Sequence, residues 1–533
     1  MPTFKLDGKS IPFEPGDTII RAAWKLGIEI PHYCWHPGLT APANCRMCLV
    51  EILPKPGQRA LTLDILELDA NSGEYRPVQK PKLQPSCYMA AVEGMEVLSD
   101  SSEHVKRARH DVQEFLLLNH PVDCPICDQS GECKLQDYWL EHMQTKKRMH
   151  DEPVHKPKGV VFGPTIVYDG ERCVMCTRCV RFMAEVAKDP VLDMRERGNL
   201  NEIVVSPGRQ LDGHYTFMTE HVCPVGALTT KDFRFKARVW FLRTAAAVCQ
   251  GCATGCNAHL DYDPRYNKAY RYRPRDNEMV NKFWMCDEGM LTYKEAHDGR
   301  VVEPVVRGKA ASVAKALDEA RALFKGVAKD SIAIVLSAQH SLEDNWALRE
   351  LGTVLVGSKS VFKSAKPDGY EDAILINRDK NPNAKGVEQL VPGVKALPSL
   401  LDEVQASRIT HVLALGGAAM AEVEAFRSAK VVVVAAHAGP LTEVAAVVLP
   451  ATSWAEQSGT FVNAKGMRQV SEKALEPLGA SKPAWAQLAA LATALGYEPS
   501  WTSLKQIRTK LVGGAADARA AAPSATAGQL GAE

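Results

Sequence analysis

All fifteen cysteines of this 533-residue chain lie between Cys34 and Cys286, and nothing from Asp287 to Glu533 adds another. So many thiols in one half make that half depend on what the sulfur holds. Residues 1–8 lack the basic and apolar regions of a signal peptide, and a chain kept in a reducing compartment does not spend its thiols on disulfides. Metal binding is the leading reading. The length exceeds what one hydrophobic core supports, so three or more domains are expected. Lys plus Arg number 64 against 63 Asp plus Glu, a balance that gives no basic field for nucleic acid or anionic lipid. The 46% hydrophobic content is that of a packed protein. The apolar runs at 431–436 and 444–449 fall far short of the roughly 20 residues that span a bilayer. A cytoplasmic chain, tied to a membrane only through partner subunits, is expected.

The cysteines sort into four ligand sets. Cys34, Cys45, Cys48 and Cys87 form the first. Here Cys45-x2-Cys48 can serve one iron of a [2Fe–2S] cluster, with Cys34 and Cys87 on the other. The second is His120-x3-Cys124-x2-Cys127-x5-Cys133, in which three thiolates leave one corner of a cubane open and a neutral imidazole fills it. The third, Cys173-x2-Cys176-x2-Cys179, is completed by Cys223 before Pro224. It keeps half of the two-cluster ferredoxin scheme and closes a single [4Fe–4S] cluster. The fourth is Cys249-x2-Cys252-x3-Cys256 with Cys286, again suited to a [4Fe–4S] cubane. Structural zinc is the competing chemistry for the first and fourth sets. With His120 added, the four sets use every cysteine. His32, His36 and His104 are read as structural. Arg46, Arg178 and Arg181 stand beside ligands and either supply positive charge or lie on the surface.

The pattern around these sets suggests their scaffolds. Residues 4–6 and 11–13 flank the hairpin turn Asp7-Gly8, and a helix over 18–26 follows, capped by Asp17 and stopped by Gly27. Hairpin, helix and cysteine loop is the order of a β-grasp ferredoxin. Ala108, Val112, Phe115 and Leu116 recur at helical spacing over 107–119. Beyond residue 331, apolar runs at 332–336, 373–376, 411–415 and 431–434 alternate with helical stretches such as 313–324, which predicts a parallel sheet with crossover helices. Gly416-Gly417 is no complete phosphate loop. The Ala-, Gly-, Ser- and Pro-rich stretch from 513 on reads as a disordered tail.

The series of motifs resembles the G-type iron–sulfur subunit of respiratory complex I, the 75 kDa subunit of mitochondria. The resemblance implies a multidomain α+β then α/β chain. Its parts would be a β-grasp [2Fe–2S] domain at 1–95, a one-His, three-Cys [4Fe–4S] segment at 96–140, a ferredoxin-like [4Fe–4S] domain at 141–240 and a further [4Fe–4S] domain at 241–300. A molybdopterin-oxidoreductase-like α/β domain at 301–512 would follow, with the tail at 513–533. It also implies one [2Fe–2S] and three [4Fe–4S] clusters and no catalytic site of the chain's own. Electrons would come one at a time from a flavin-containing, NADH-binding subunit and pass through other peripheral-arm iron–sulfur subunits toward quinone. The whole would be a proton-translocating NADH:quinone oxidoreductase on the cytoplasmic face of the membrane. Only some bacterial members keep the fourth set.

The C-terminal part is similar to a reduced molybdopterin oxidoreductase, through Val448-Leu449-Pro450, Glu456-x2-Gly459-Thr460 and Asn463-x2-Gly466. Working relatives carry Cys-x-Lys-Gly at the last cluster ligand, whereas this chain reads Cys286-Asp287-Glu288-Gly289, an acid in place of the cation. No molybdopterin is expected. The competing readings are the iron–sulfur and molybdopterin subunit of an NAD-linked formate dehydrogenase, the diaphorase arm of a soluble hydrogenase, and a zinc scaffold.

Overall fold

The computed structural model describes residues 1–55, 57, 59–146, 148–418 and 423–512; the expected tail at 513–533 lies outside them. The chain forms two compact units, Met1–Val239 and a second beginning at Trp240.

In the first unit, Asp7 and Gly8 take φ of 47° and 80°, the left-handed pair that a tight hairpin requires. They join strand β1 (Thr3–Leu6) to β2 (Lys9–Pro12). Helix α1 (Ile19–Lys25) is capped by Thr18, whose hydroxyl accepts from the Arg21 amide. Asp17, the cap expected from the sequence, instead accepts from the Glu14 amide and pairs with Lys25. Strands β3 (Leu49–Leu53), β4 (Thr62–Leu68), β5 (Tyr75–Pro81), β6 (Gln84–Pro85) and β7 (Glu96–Leu98) follow. The sheet runs β2-β1-β7-β3-β6, with β4 and β5 a separate hairpin. Ile19, Ile20, Ala22 and Ala23 of α1 pack on Phe4, Ile11, Val50, Val97 and the side chains of Cys48 and Cys87, so the first cysteine set grows directly out of this core.

Helix α2 (Glu103–Leu117) starts one turn before the expected 107, because Ser102 caps it by accepting from the Val105 amide. Its buried side chains are Val105, Arg109, Gln113 and Glu114. Phe115 is 72% exposed, while Arg109 and Gln113 are 0% exposed. Arg109 is held by Asp100 and Ser99. Gln113 accepts from the Tyr33 hydroxyl and donates to the Leu135 carbonyl at the start of helix α3 (Lys134–His142). The rest of the unit is small: β8 (Val160–Val161), β9 (Ile166–Tyr168), helix α4 (Arg178–Glu185), hairpin β10 (Leu192–Arg195) and β11 (Glu202–Val205), helix α5 (Met218–Val222), and β12 (Leu228–Thr230).

The second unit opens with the meander β13 (Arg243–Val248), β14 (Asn257–Asp263) and β15 (Lys268–Pro274), followed by helix α6 (Asp287–Leu291). Buried Asp261 of β14 is gripped by Arg271 and Arg273 of β15. Then comes an eight-stranded sheet. Its parallel centre consists of β18 (Ile332–Ser337), β19 (Ser360–Ser364), β20 (Lys395–Ala396), β21 (His411–Leu415), β22 (Lys430–Ala435) and β23 (Val447–Pro450). The short pair β16 (Val305–Val306) and β17 (Lys309–Ala310) runs antiparallel along one edge. Alternate residues of each central strand enter two cores. Ile332, Ile334, Val432 and Val434 pack under helices carrying Ala316, Leu348 and Leu488. Ala333, Val335, Val431 and Val433 face Leu400, Phe426 and Leu441. Both faces covered is what a parallel sheet demands.

The expected strand at 373–376 is absent from that sheet. Those residues form a bend, in which the Asp372 carboxylate accepts from the amides of Ile374, Leu375 and Ile376. The mixed Ser-Val-Phe-Lys-Ser run of β19 takes the place beside β18 instead. Gly416-Gly417 serves backbone packing: a Cβ on Gly417 would sit 2.9 Å from the Gly439 Cα. Among the described residues no helix is long and apolar enough to cross a membrane.

Candidate metal centres

Each set is assembled by a tight loop next to a regular element. In the first, Cys34 follows α1 in a loop, Cys48 enters β3 and Cys87 leaves β6. Left-handed Ala43 and Arg46 curl the loop around Cys45. The Cys34 thiol contacts those of Cys45 and Cys87, and Cys48 contacts Cys87. The thiol contacts thus run from Cys45 to Cys34, from Cys34 to Cys87 and from Cys87 to Cys48. Neighbouring thiols and amides hold Cys34 well below the ordinary thiol range, while the same contacts push Cys87 up.

In the second set, His120, Cys124, Cys127 and Cys133 line one small cavity with Asp123, Arg172 and Gly226. Cys124 begins a single helical turn, and Cys133 sits at the N-terminus of α3. Burial, helped by the charge of Arg172, lowers the His120 imidazole to about 4, so the ring is neutral near pH 7. Burial pushes the Cys133 thiol up to about 11. Arg172 is buried and fixed by Asp123 and Asp169. Gly226 is obligatory: a Cβ there would lie 2.3 Å from the Cys127 Sγ.

In the third set, Met175 and Thr177 take φ of 52° and 59°. These left-handed residues between the cysteines turn Cys173, Cys176 and Cys179 to one side. Cys223 joins them from the C-terminal end of α5, and the four thiols line one cavity with Tyr168, Ile203 and Leu228. Burial pushes Cys173 and Cys176 up to about 11 and Cys223 up to about 12.

In the fourth, Cys249 ends β13, Cys256 precedes β14, and Cys286 caps α6 by accepting from the Gly289 amide. With Cys252 they line a cavity of about 180 Å³. Burial pushes the Cys249 thiol up to about 12. Sequence reading found Glu288 where relatives have lysine. Both Glu288 and Lys380 line this cavity, and Lys380 comes from a loop ninety-odd residues downstream, where no local motif marks it.

All fifteen cysteines are free thiols. Buried thiols raised so far above neutrality become thiolates only when a cation replaces the proton, which is what metal ligation does. The spacing speaks to which metal. A tetrahedral zinc with sulfur at ~2.3 Å draws its ligands to within about 3.8 Å of one another. Among the described residues, three donor atoms lie within 4.8 Å of one another at His110, Asp111 and Glu114, and in none of the four sets. None of the sets is drawn together as one tetrahedral ion would hold it, although within the first the Cys34 thiol touches those of Cys45 and Cys87. His110, Asp111 and Glu114 make a poor cation site, because Arg148 already neutralises Glu114.

The flanking residues divide. His32 donates from Nδ1 to the Ile30 carbonyl, and His36 accepts from the Gly38 amide; His104 lines none of these cavities. Arg46 is exposed, while Arg178 is buried and Arg181 partly so. The molybdopterin-type motif is also used internally. Glu456 forms a buried two-pronged pair with Arg300 at 2.6 and 2.9 Å. Thr460 gives its amide and hydroxyl to Glu343, both at 2.7 Å. The Asn463 side-chain carbonyl accepts from the amides of Lys465 and Met467.

Comparison with known proteins agrees with this layout. Sequence profiles match for a "2Fe-2S iron-sulfur cluster binding domain" at 1–68, an "NADH-ubiquinone oxidoreductase-G iron-sulfur binding region" at 109–148, an "NADH-quinone oxidoreductase subunit 3, ferredoxin-like domain" at 163–229 and "Molybdopterin oxidoreductase" at 212–494. The NADH-quinone oxidoreductase G subunit of Mycobacterium bovis is 32% identical over 385 residues, which cover 70% of this chain and 44% of the relative. The corresponding G subunit of Rickettsia bellii is 36% identical over 59% of this chain and 42% of its own. The NADH-ubiquinone oxidoreductase 75 kDa subunit of Reclinomonas americana is 33% identical over 71% and 52%. The chain thus spans about half the length of the curated relatives it matches. A solved chain of an NAD+-reducing [NiFe]-hydrogenase in the H2-reduced state is 30% identical, covering 45% of this chain and 91% of that one, with a TM-score of 0.35. The chain has a 2Fe-2S domain, 4Fe-4S regions and a molybdopterin-oxidoreductase domain in that order; it belongs to the molybdopterin oxidoreductase family and is similar to the G subunits of NADH-quinone oxidoreductases.

Proposed function

We propose that this chain is the electron-relaying iron–sulfur subunit of an NADH:quinone oxidoreductase. It takes electrons from a flavin-containing, NADH-oxidising partner and passes them through further iron–sulfur subunits toward quinone, attached to the cytoplasmic face of the membrane through those partners. A [2Fe–2S] cluster is held by Cys34, Cys45, Cys48 and Cys87. Three [4Fe–4S] clusters are held by His120, Cys124, Cys127 and Cys133; by Cys173, Cys176, Cys179 and Cys223; and by Cys249, Cys252, Cys256 and Cys286. When bound, the clusters supply one-electron redox chemistry. The chain's own residues hold thiolates and one neutral imidazole in place, exclude water and surround each centre with fixed charge.

The β-grasp reading of 1–95 is supported by the mixed sheet and the helix packed on it. The boundaries near 95, 140, 240 and 300 follow the order of the sets. The α/β part from 301 carries no cofactor in this reading, because the motif side chains that would reach one are engaged with Arg300, Glu343 and their own turn.

The observation that carries the proposal is the gathering of the cysteines into four groups, the second with His120 beside its thiols. Anaerobically purified or reconstituted chain should contain about 14 iron and 14 acid-labile sulfide per polypeptide and give four reducible EPR signals. Colourless protein with about four zinc ions would overturn it, and stoichiometric molybdenum would favour the formate dehydrogenase reading.

A further inference from the structure

Helix α4 does more than carry Cys179. From its first turn, Arg178 donates one guanidinium nitrogen to the Trp35 carbonyl and another, at 3.3 Å, to the Val222 carbonyl. One turn on, Arg181 donates from a single nitrogen to the carbonyls of Cys34 at 2.5 Å and Cys176 at 3.3 Å. Its other end nitrogen reaches the Thr40 carbonyl. Glu185, a further turn along, accepts from the Thr40 amide at 2.9 Å and from its hydroxyl. Each arginine therefore ties the loop of the first cysteine set to the loop of the third, at residues that are ligands or adjoin them: Cys34 and Trp35 on one side, Cys176 and Val222 on the other. Arg178 is only 5% exposed, and its Nε–H is buried with no protein acceptor.

We propose that Arg178 and Arg181 form a two-armed cationic staple that fixes the separation of the first and third centres and raises the reduction potentials of both together. The staple rests on the reading that both sets hold clusters. A planar guanidinium suits the task, because its fork spans two acceptors in fixed geometry and its charge persists at every physiological pH. Positive charge in a poorly solvated place stabilises the more negative, reduced state of any centre beside it. Because the two arginines lie between two centres, both should respond to one substitution, while the second and fourth serve as internal references.

The test is an EPR-monitored redox titration of the full-length chain, reconstituted anaerobically with iron and sulfide. In Arg181→Gln the midpoints of the first and third centres should both move to more negative potential, with those of the second and fourth unmoved. Arg181→Lys, which keeps the charge and loses the fork, should leave all four midpoints near wild type. Arg178→Gln and Arg178→Lys should repeat the contrast. The staple is refuted if the Gln variants leave the first and third midpoints in place, if only one moves, or if Lys shifts them as far as Gln does. Should a Gln variant fail to take up iron, the Lys variants decide by whether both midpoints hold. Wild-type protein lacking the first and third signals would instead sink the cluster reading itself.

Discussion

His120 shows how far one side chain can be argued. Burial keeps its imidazole neutral down to about pH 4, so one ring nitrogen is free of a proton under physiological conditions. His120→Ala should abolish or alter the second EPR signal while the other three persist; four unchanged signals would exclude it as a ligand. His120→Cys, which restores a thiolate, should keep that signal at a more negative potential. Glu456 carries a different lesson. Its sequence motif is shared with cofactor-binding relatives, yet here its carboxylate neutralises buried Arg300. Glu456→Gln leaves a cation unmatched in the interior and should cost about 3–5 kcal/mol, seen as faster hydrogen exchange in β22 and β23. Residue identity was therefore legible at the cysteines, whose spacing is their chemistry. It was not legible at Glu456 or Lys380, whose roles depend on partners far along the chain.

Elements were readable where local rules act alone. The hairpin around Asp7-Gly8 and the parallel strands at 332–336, 411–415 and 431–434 agree with their patterns because turn geometry and two-sided burial leave few options. Helix α2 was readable as a helix although most of its buried side chains are polar, whereas the apolar run at 373–376 is bent by the Asp372 carboxylate. Two predictions belong here. Gly226→Ala would drive a methyl into the Cys127 sulfur, so the second signal should vanish with the third intact, although Gly226 lies only three residues beyond Cys223. Asp261→Asn should loosen the β14–β15 ribbon by about 3 kcal/mol at pH 7. Burial opposes ionisation of Asp261, but Arg273 and Arg271 prevail and hold its carboxyl below the usual value of 3.8. The stabilisation is therefore complete above that pH and drains away as pH falls below it. Amide exchange across residues 257–274 at two pH values reads both the loss and its sign.

At the scale of the molecule, three of the four sets lie within Met1–Val239, while the unit from Trp240 has two large apolar cores of its own. Removing iron anaerobically should therefore lower the calorimetric transition of the first unit much more than that of the second, since binding energy there is also folding energy. Equal falls would show that the α/β part depends on metal as well. Of the fifteen cysteines, all among the described residues, Cys124 alone is exposed, and it stands between Val122 and Ile126, which are 91% and 60% exposed. Aerial damage to the separated chain should consequently begin at that corner, and corrosion of the histidine-bearing centre becomes the clock that sets the shelf life of the purified protein.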